Sequence, residues 1–134
     1  MALIVLFDFN SLLFPFNWAC WFKEDFGKRI LAKAQAKGVA RLALKTLAKR
    51  LHKSEEAKRW PKCWYQPVES TEEARLAVRF TLSLPVTAAV SSGHAELLWW
   101  ACDAAKSITP LTPQEESLLR QRSRELEVIF PQQA

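Results

Sequence analysis

The chain has 134 residues, of which 49% are apolar, 25% are charged and only three are glycine, so it is a folding sequence of about one domain's length and not a disordered or low-complexity one. It can enclose one core, but it falls short of the roughly 250 residues of a complete (β/α)8 barrel. The net charge of +5 is concentrated, with 13 basic and four acidic side chains between Lys23 and Lys62, which points either to an anionic partner or to a solvated helix face.

Residues 2–7 form an unbroken apolar run, and residues 11–16 form a second one that closes at Pro15; runs of this length suit buried strands better than helices, with strand and helix both open for the first. Asp8, Asn10, Pro15 and Asn17 interrupt residues 1–22, and an aspartate alone costs roughly 2.5–3.5 kcal/mol at mid-bilayer, so the stretch reads as core and not as a membrane anchor. No basic segment precedes it and no small-residue cleavage site follows, as a signal peptide would require. Residues 26–37 then place Ile30, Leu31 and Ala34 at helical spacing among lysines and arginines, and Gly38 stands where a helix C-cap would. Residues 39–44 follow as a strand broken only by Arg41.

Residues 46–53 are polar and basic. Residues 54–70, with Pro61, Pro67 and the aromatic trio Trp60, Trp64 and Tyr65, read as a long irregular connection, either a binding loop or a packed excursion. Ser70 and Glu73 are spaced as a capping box for a helix that Pro85 ends. Residues 86–90 are a short strand, Ser91, Ser92 and Gly93 a tight turn, and residues 94–105 a helix carrying Leu97, Leu98, Ala101 and Cys102. Thr112 and Pro113 open a last helix as N-cap and N1, running to near Phe130. This alternation predicts one α/β domain over residues 1–134, with about three parallel strands whose C-terminal ends share one edge.

Ligands of such units bind beyond the carboxyl ends of the strands, which singles out residues 15–18, 45–49 and 91–93. Small residues before a helix N-terminus let backbone N–H groups approach an anion, and Lys45 and Lys49 end the neighbouring strand, so a phosphate is the ligand this chemistry suits. The same serine-serine-glycine run also makes an ordinary turn. Cys20, Cys63 and Cys102 are an odd number without CxxC spacing beside only two histidines, which supports neither a disulfide framework nor a zinc site and makes the cytosol the expected compartment. Basic residues interleaved with Trp60 and Trp64 could stack on single-stranded nucleic acid, but loop packing is the favoured reading. Trp99 and Trp100 are adjacent and cannot share one helix face, so one covers core while the other faces a partner.

The stretches FDFNSLLFPFNW from Phe7, GKRILAKAQAKGVARLALKTLAKR from Gly27, PKCWYQP from Pro61, EEARLAVRFTLSLPVTAAVSSGHAELLWWACDAA from Glu72 and ITPLTPQEE from Ile108 together resemble the C-terminal part of bacterial aldo/keto reductases. The resemblance implies a partial (β/α)8 barrel, strands six to eight with their helices, taken from enzymes that reduce carbonyl compounds with NADPH. It implies that Phe16 and Asn17 end strand six, that Lys45 and Thr46 end strand seven, and that Ser91, Ser92 and Gly93 form the turn after strand eight that approaches cofactor phosphate. In place of the family's Pro-Gly or Lys-Ser, this turn has Ser-Ser-Gly. The family's catalytic Asp, Tyr, Lys and His belong to the first half of the barrel, which no part of this chain matches, so the chain is expected not to reduce a substrate alone. Three barrel strands also leave two open edges and a bare apolar face, implying a homo-oligomer or docking onto a separately encoded first half. The alternative is a non-catalytic interaction protein that presents its basic region, Lys23 to Lys62, to an anionic partner such as nucleic acid.

Overall fold

The computed structural model describes residues 2–131. In chain order the elements are α1 (Ala2–Leu6), β1 (Ser11–Pro15), α2 (Trp18–Glu24), α3 (Lys28–Ala36), β2 (Ala40–Leu44), β3 (Ala48–Leu51), β4 (Tyr65–Pro67), α4 (Thr71–Ser83), β5 (Ala88–Ala89), α5 (Ala95–Ala105) and α6 (Pro113–Glu125). Strands β1, β2 and β5 form a parallel sheet in that order, with Ser11 beside Ala40 and Leu42 between Leu13 and Ala88. The fold is therefore mixed α/β with a three-stranded parallel sheet and flanking helices, as the alternation of elements predicts. The sheet is open: among the described residues, β1 and β5 each pair on one side only.

Helix α3 covers one face of this sheet. Its Leu31 packs on Phe16 and Ala43, and its Ala34 packs with Ile4 and Val39. The helix ends where Gly38 takes a left-handed φ of 67°, which lets Gly38 N–H bond to Gln35 O and Val39 N–H to Ala34 O, turning the chain directly into β2. The opposite face, which carries Leu13, Leu42 and Ala88, has no covering helix among the described residues, and Leu13 is 54% exposed.

The larger core lies to the side of the sheet, where α2, α4, α5 and α6 surround Trp18, Cys20, Leu47, Trp60, Tyr65 and Phe80. Arg79, 3% exposed, holds two of these layers together. Its guanidinium donates to both carboxylate oxygens of Glu115 (2.7 and 2.8 Å) and to the carbonyls of Thr109 and Pro110 (2.9 and 2.6 Å).

The structure corrects the sequence reading at several points. Residues 2–7, open between strand and helix in the sequence, begin with the helix α1, which buries Ile4 and leaves Leu3, Val5 and Leu6 exposed, and Phe7 beyond its end is exposed too. An all-apolar run has no period by which strand and helix can be told apart. The assignment of residues 1–22 to core holds for Phe16, Trp18, Ala19 and Cys20 but fails for these four. Helix α2 lies hidden inside the same run, and α6 stops at Glu125. Residues 46–70 are not irregular throughout, because β3 and β4 form an antiparallel pair, Leu51 beside Tyr65, with a bulge between Ala48 and Arg50. Charged side chains fit in this strand because each is matched: Lys49 by Glu69 and Glu73, Arg50 by Glu56. The box at Ser70 is half made, since Ser70 Oγ accepts from Glu73 N–H while the Glu73 carboxylate turns to Glu69 N–H and Lys49.

Candidate functional site

Beyond the C-terminal ends of β2 and β5, Lys45 meets the turn Ser91, Ser92 and Gly93 around a pocket of about 110 Å3, whose wall is completed by Lys62, Cys63, Trp64 and Tyr65. At roughly 30 Å3 per liquid water, the space suits a phosphate group and not a whole dinucleotide. Lys45 is held in a left-handed conformation, φ 62°, uncommon for a residue with a side chain. Its ammonium lies 4.8 Å from the centre of the Tyr65 ring and 5.4 Å from that of Trp64, so two aromatic faces fix the cation at the rim.

The remaining groups leave the pocket positive. Burial pushes the Tyr65 phenol up to about 12 and raises the Cys63 thiol, so both stay protonated near neutral pH. The Tyr65 hydroxyl shares a hydrogen bond with Ser92 Oγ at 3.3 Å, tying the hairpin to the turn. Lys62 N–H donates to His94 Nε2 at 3.0 Å, fixing the N-cap residue of α5 against the same loop. The N-terminus of α5 then adds its partial positive charge. Gly93 has an ordinary φ and open space where a Cβ would stand, so its place does not depend on glycine's conformational freedom.

Of the residues assigned to cofactor by resemblance, Lys45, Ser91, Ser92 and Gly93 come together here, whereas Asn17 and Thr46 do not line this pocket. Asn17 is fully buried and its amide is committed internally. Its Nδ2 donates to the carbonyls of Lys45 (2.9 Å) and Ala48 (2.7 Å), and its Oδ1 accepts from the N–H groups of Ala19 and Cys20 at 3.1 Å each. It caps α2 and fastens the turn that positions Lys45. Thr46 lines a separate, mostly apolar cavity of about 270 Å3 between α4, α5 and β5, and its buried Oγ1 has no hydrogen-bond partner. Lys49, read as a second phosphate ligand, is taken up by Glu69 and Glu73.

Sequence reasoning missed Lys62, Cys63 and Tyr65 as wall residues. Their signal is the aromatic, proline-flanked loop, which reads as packing because Pro61 and Pro67 fix it and no RNP-like or OB-like pattern accompanies it. Trp60 does pack: it is buried and stands edge-on to Trp100, which lies against the core, while the adjacent Trp99 is 65% exposed. Within the basic region Lys28, Lys37, Lys49, Arg50 and Arg59 pair with Asp25, Asp8, Glu69 with Glu73, Glu56 and Glu96 respectively, which breaks up its positive surface.

Among the described residues no group of three His, Cys, Asp or Glu side chains is placed to hold a metal, and no helix is long and apolar enough to cross a membrane. Compared with protein-family models, curated proteins and solved structures, the chain matches none.

Proposed function

We propose that this chain is the cofactor-side half of an aldo/keto-reductase-like (β/α)8 barrel, a truncated or split NADP-dependent oxidoreductase that holds a cofactor phosphate without reducing a substrate by itself. The observation that carries the reading is the meeting of Lys45 with Ser91, Ser92 and Gly93 at the ends of adjacent parallel strands, where α/β proteins bind ligands. The lining fits a phosphate: two lysines and the Ser92 hydroxyl, while Ser91 Oγ donates to the Ser92 carbonyl at 3.0 Å, with no carboxylate lining the pocket among the described residues. NADP, when bound, supplies the hydride chemistry. In this reading Lys45 and Lys62 neutralise the phosphate and the Ser92 hydroxyl orients it, while Ser91, bonded to the Ser92 carbonyl, shapes the turn. No residue here is assigned the proton transfer, because the family's Asp, Tyr, Lys and His have no counterpart in this sequence. The reading includes a cytosolic location, in which Cys20, Cys63 and Cys102 stay reduced, and a partner that covers the open sheet.

The test is an NADPH titration followed by tryptophan fluorescence, for which Trp64 in the pocket wall is the reporter. Saturable quenching at micromolar NADPH is expected, together with its loss in Gly93→Asp, which adds a negative charge without backbone strain and leaves thermal unfolding unchanged. No quenching, or equal affinity in the variant, overturns the reading. Oligonucleotide binding that falls steeply with salt would favour the interaction-protein alternative instead.

A further inference from the structure

We propose that the open sheet closes on a second copy of this chain about a two-fold axis parallel to the strands, so that β5 of each copy lies beside β1 of the other and six parallel strands surround one interior. This rests on the half-barrel part of the reading above and is independent of the cofactor pocket.

The argument begins with direction. Strands β1, β2 and β5 all point the same way, so rotation about an axis along them keeps that direction and brings the β5 edge to the β1 edge twice at once. A two-fold axis across the strands would pair one edge with its own copy, antiparallel, and leave the other edge unpaired. Unpaired edges template association, and closed two-fold symmetry is the commonest outcome among soluble oligomers.

The uncovered face has the composition such an interior needs. By register Ser11 and Ala40 form one layer and Leu13, Leu42 and Ala88 the next, all on the side away from α3. Eight strands make a ring just wide enough for side chains to fill, and six make a narrower one, which suits layers holding a serine and two alanines among leucines.

The flanks match in chemistry and extent. Leu3 and Leu6 on α1 and Phe7 and Phe9 in the connection that leads into β1 are exposed, as are Leu98 and Trp99 on α5, the helix that follows β5. Leu98 shares the wall of the 270 Å3 cavity with Ala89 and Val90, which leaves an apolar recess along the β5 edge for a side chain of the arriving copy. At about 150–250 Å2 for a large side chain, these six and Leu13 expose on the order of 800 Å2 per chain, and a standard stable interface needs about 800 Å2 from each partner.

Light scattering on the purified full chain at micromolar concentration is the first test, with twice the chain mass expected. Leu13→Lys, at a position already exposed in the isolated chain, should return the mass to one chain with thermal unfolding of the monomer intact. The second test mixes one preparation carrying Ser11→Cys with another carrying Ala88→Cys, both in a Cys102→Ser background, and adds a short bis-maleimide. A covalent dimer should form in the mixture. A single-chain mass for the unsubstituted protein, no cross-linking in the mixture, or association only when a polypeptide supplying a first half-barrel is added would each overturn the proposal. Gly93→Asp should remain dimeric, so failure of the cofactor pocket and failure of the closure are read separately.

Discussion

Around Arg79 a buried guanidinium has a partner at each of its three nitrogens, whereas along α1 and β1 a row of large apolar side chains meets solvent. The first region lies where α4, α6 and the 109–110 segment converge on the main core; the second lies along the sheet, whose face away from α3 has no cover among the described residues. The contrast teaches that the folding energy of this chain is collected on the helix side of the sheet, while the open side contributes surface. Substitutions should therefore divide, with those on the helix side costing stability and those on the open side changing association.

The largest effect is expected at Arg79→Met, which strips Thr109 and Pro110 of their donors and empties a buried site: about 3 kcal/mol of stability lost in urea unfolding, or a drop of roughly 10 °C in Tm. The same guanidinium sets an acid limit. Bonded to Arg79, the Glu115 carboxyl is held down at about 2 against an ordinary 4.5, and Arg50 does the same for Glu56. A depressed native value means that the stabilisation is complete above about pH 4.5 and is lost as the pH falls toward 2. The urea midpoint should fall across that window, and less steeply in Arg79→Met. Next comes Asn17→Ala, which removes the α2 cap and leaves the carbonyl of Ala48 buried without its donor, costing about 2 kcal/mol by the same measurement. The smallest effect on folding is expected at Leu13→Thr, measured at a concentration that keeps the chain single: within about 0.5 kcal/mol, because the side chain is already half in water there; a loss above 2 kcal/mol under that condition would erase the contrast between the two sides.

The elements with sharp punctuation were legible in the sequence. Gly38 marked the end of α3, Ser70 and Pro85 bracketed α4, and Thr112 with Pro113 opened α6, each through a local requirement of the backbone. The hairpin β3–β4 was not, because Lys49 and Arg50 become acceptable in a strand only through carboxylates supplied from residues 56, 69 and 73, and a pattern search along the chain does not see such partners. The candidate site divides the same way. Lys45 and the 91–93 turn could be placed at strand ends by counting elements, whereas Tyr65 and Lys62 arrive from the hairpin. Asn17 shows the limit of resemblance: the residue type fits a ligand-binding role, yet each polar atom of its side chain is consumed in holding α2 to the turn that presents Lys45.

The Arg79 bonds to Thr109 and Pro110 also bear on how the chain survives a cut. The connection after α5 is exposed at Lys106, Ser107 and Ile108, so trypsin cleaving behind Lys106 meets little obstruction, but the strand of backbone beyond the nick stays moored by the guanidinium and by the capped start of α6. A nicked molecule should run as two pieces on a denaturing gel and as one body under native conditions.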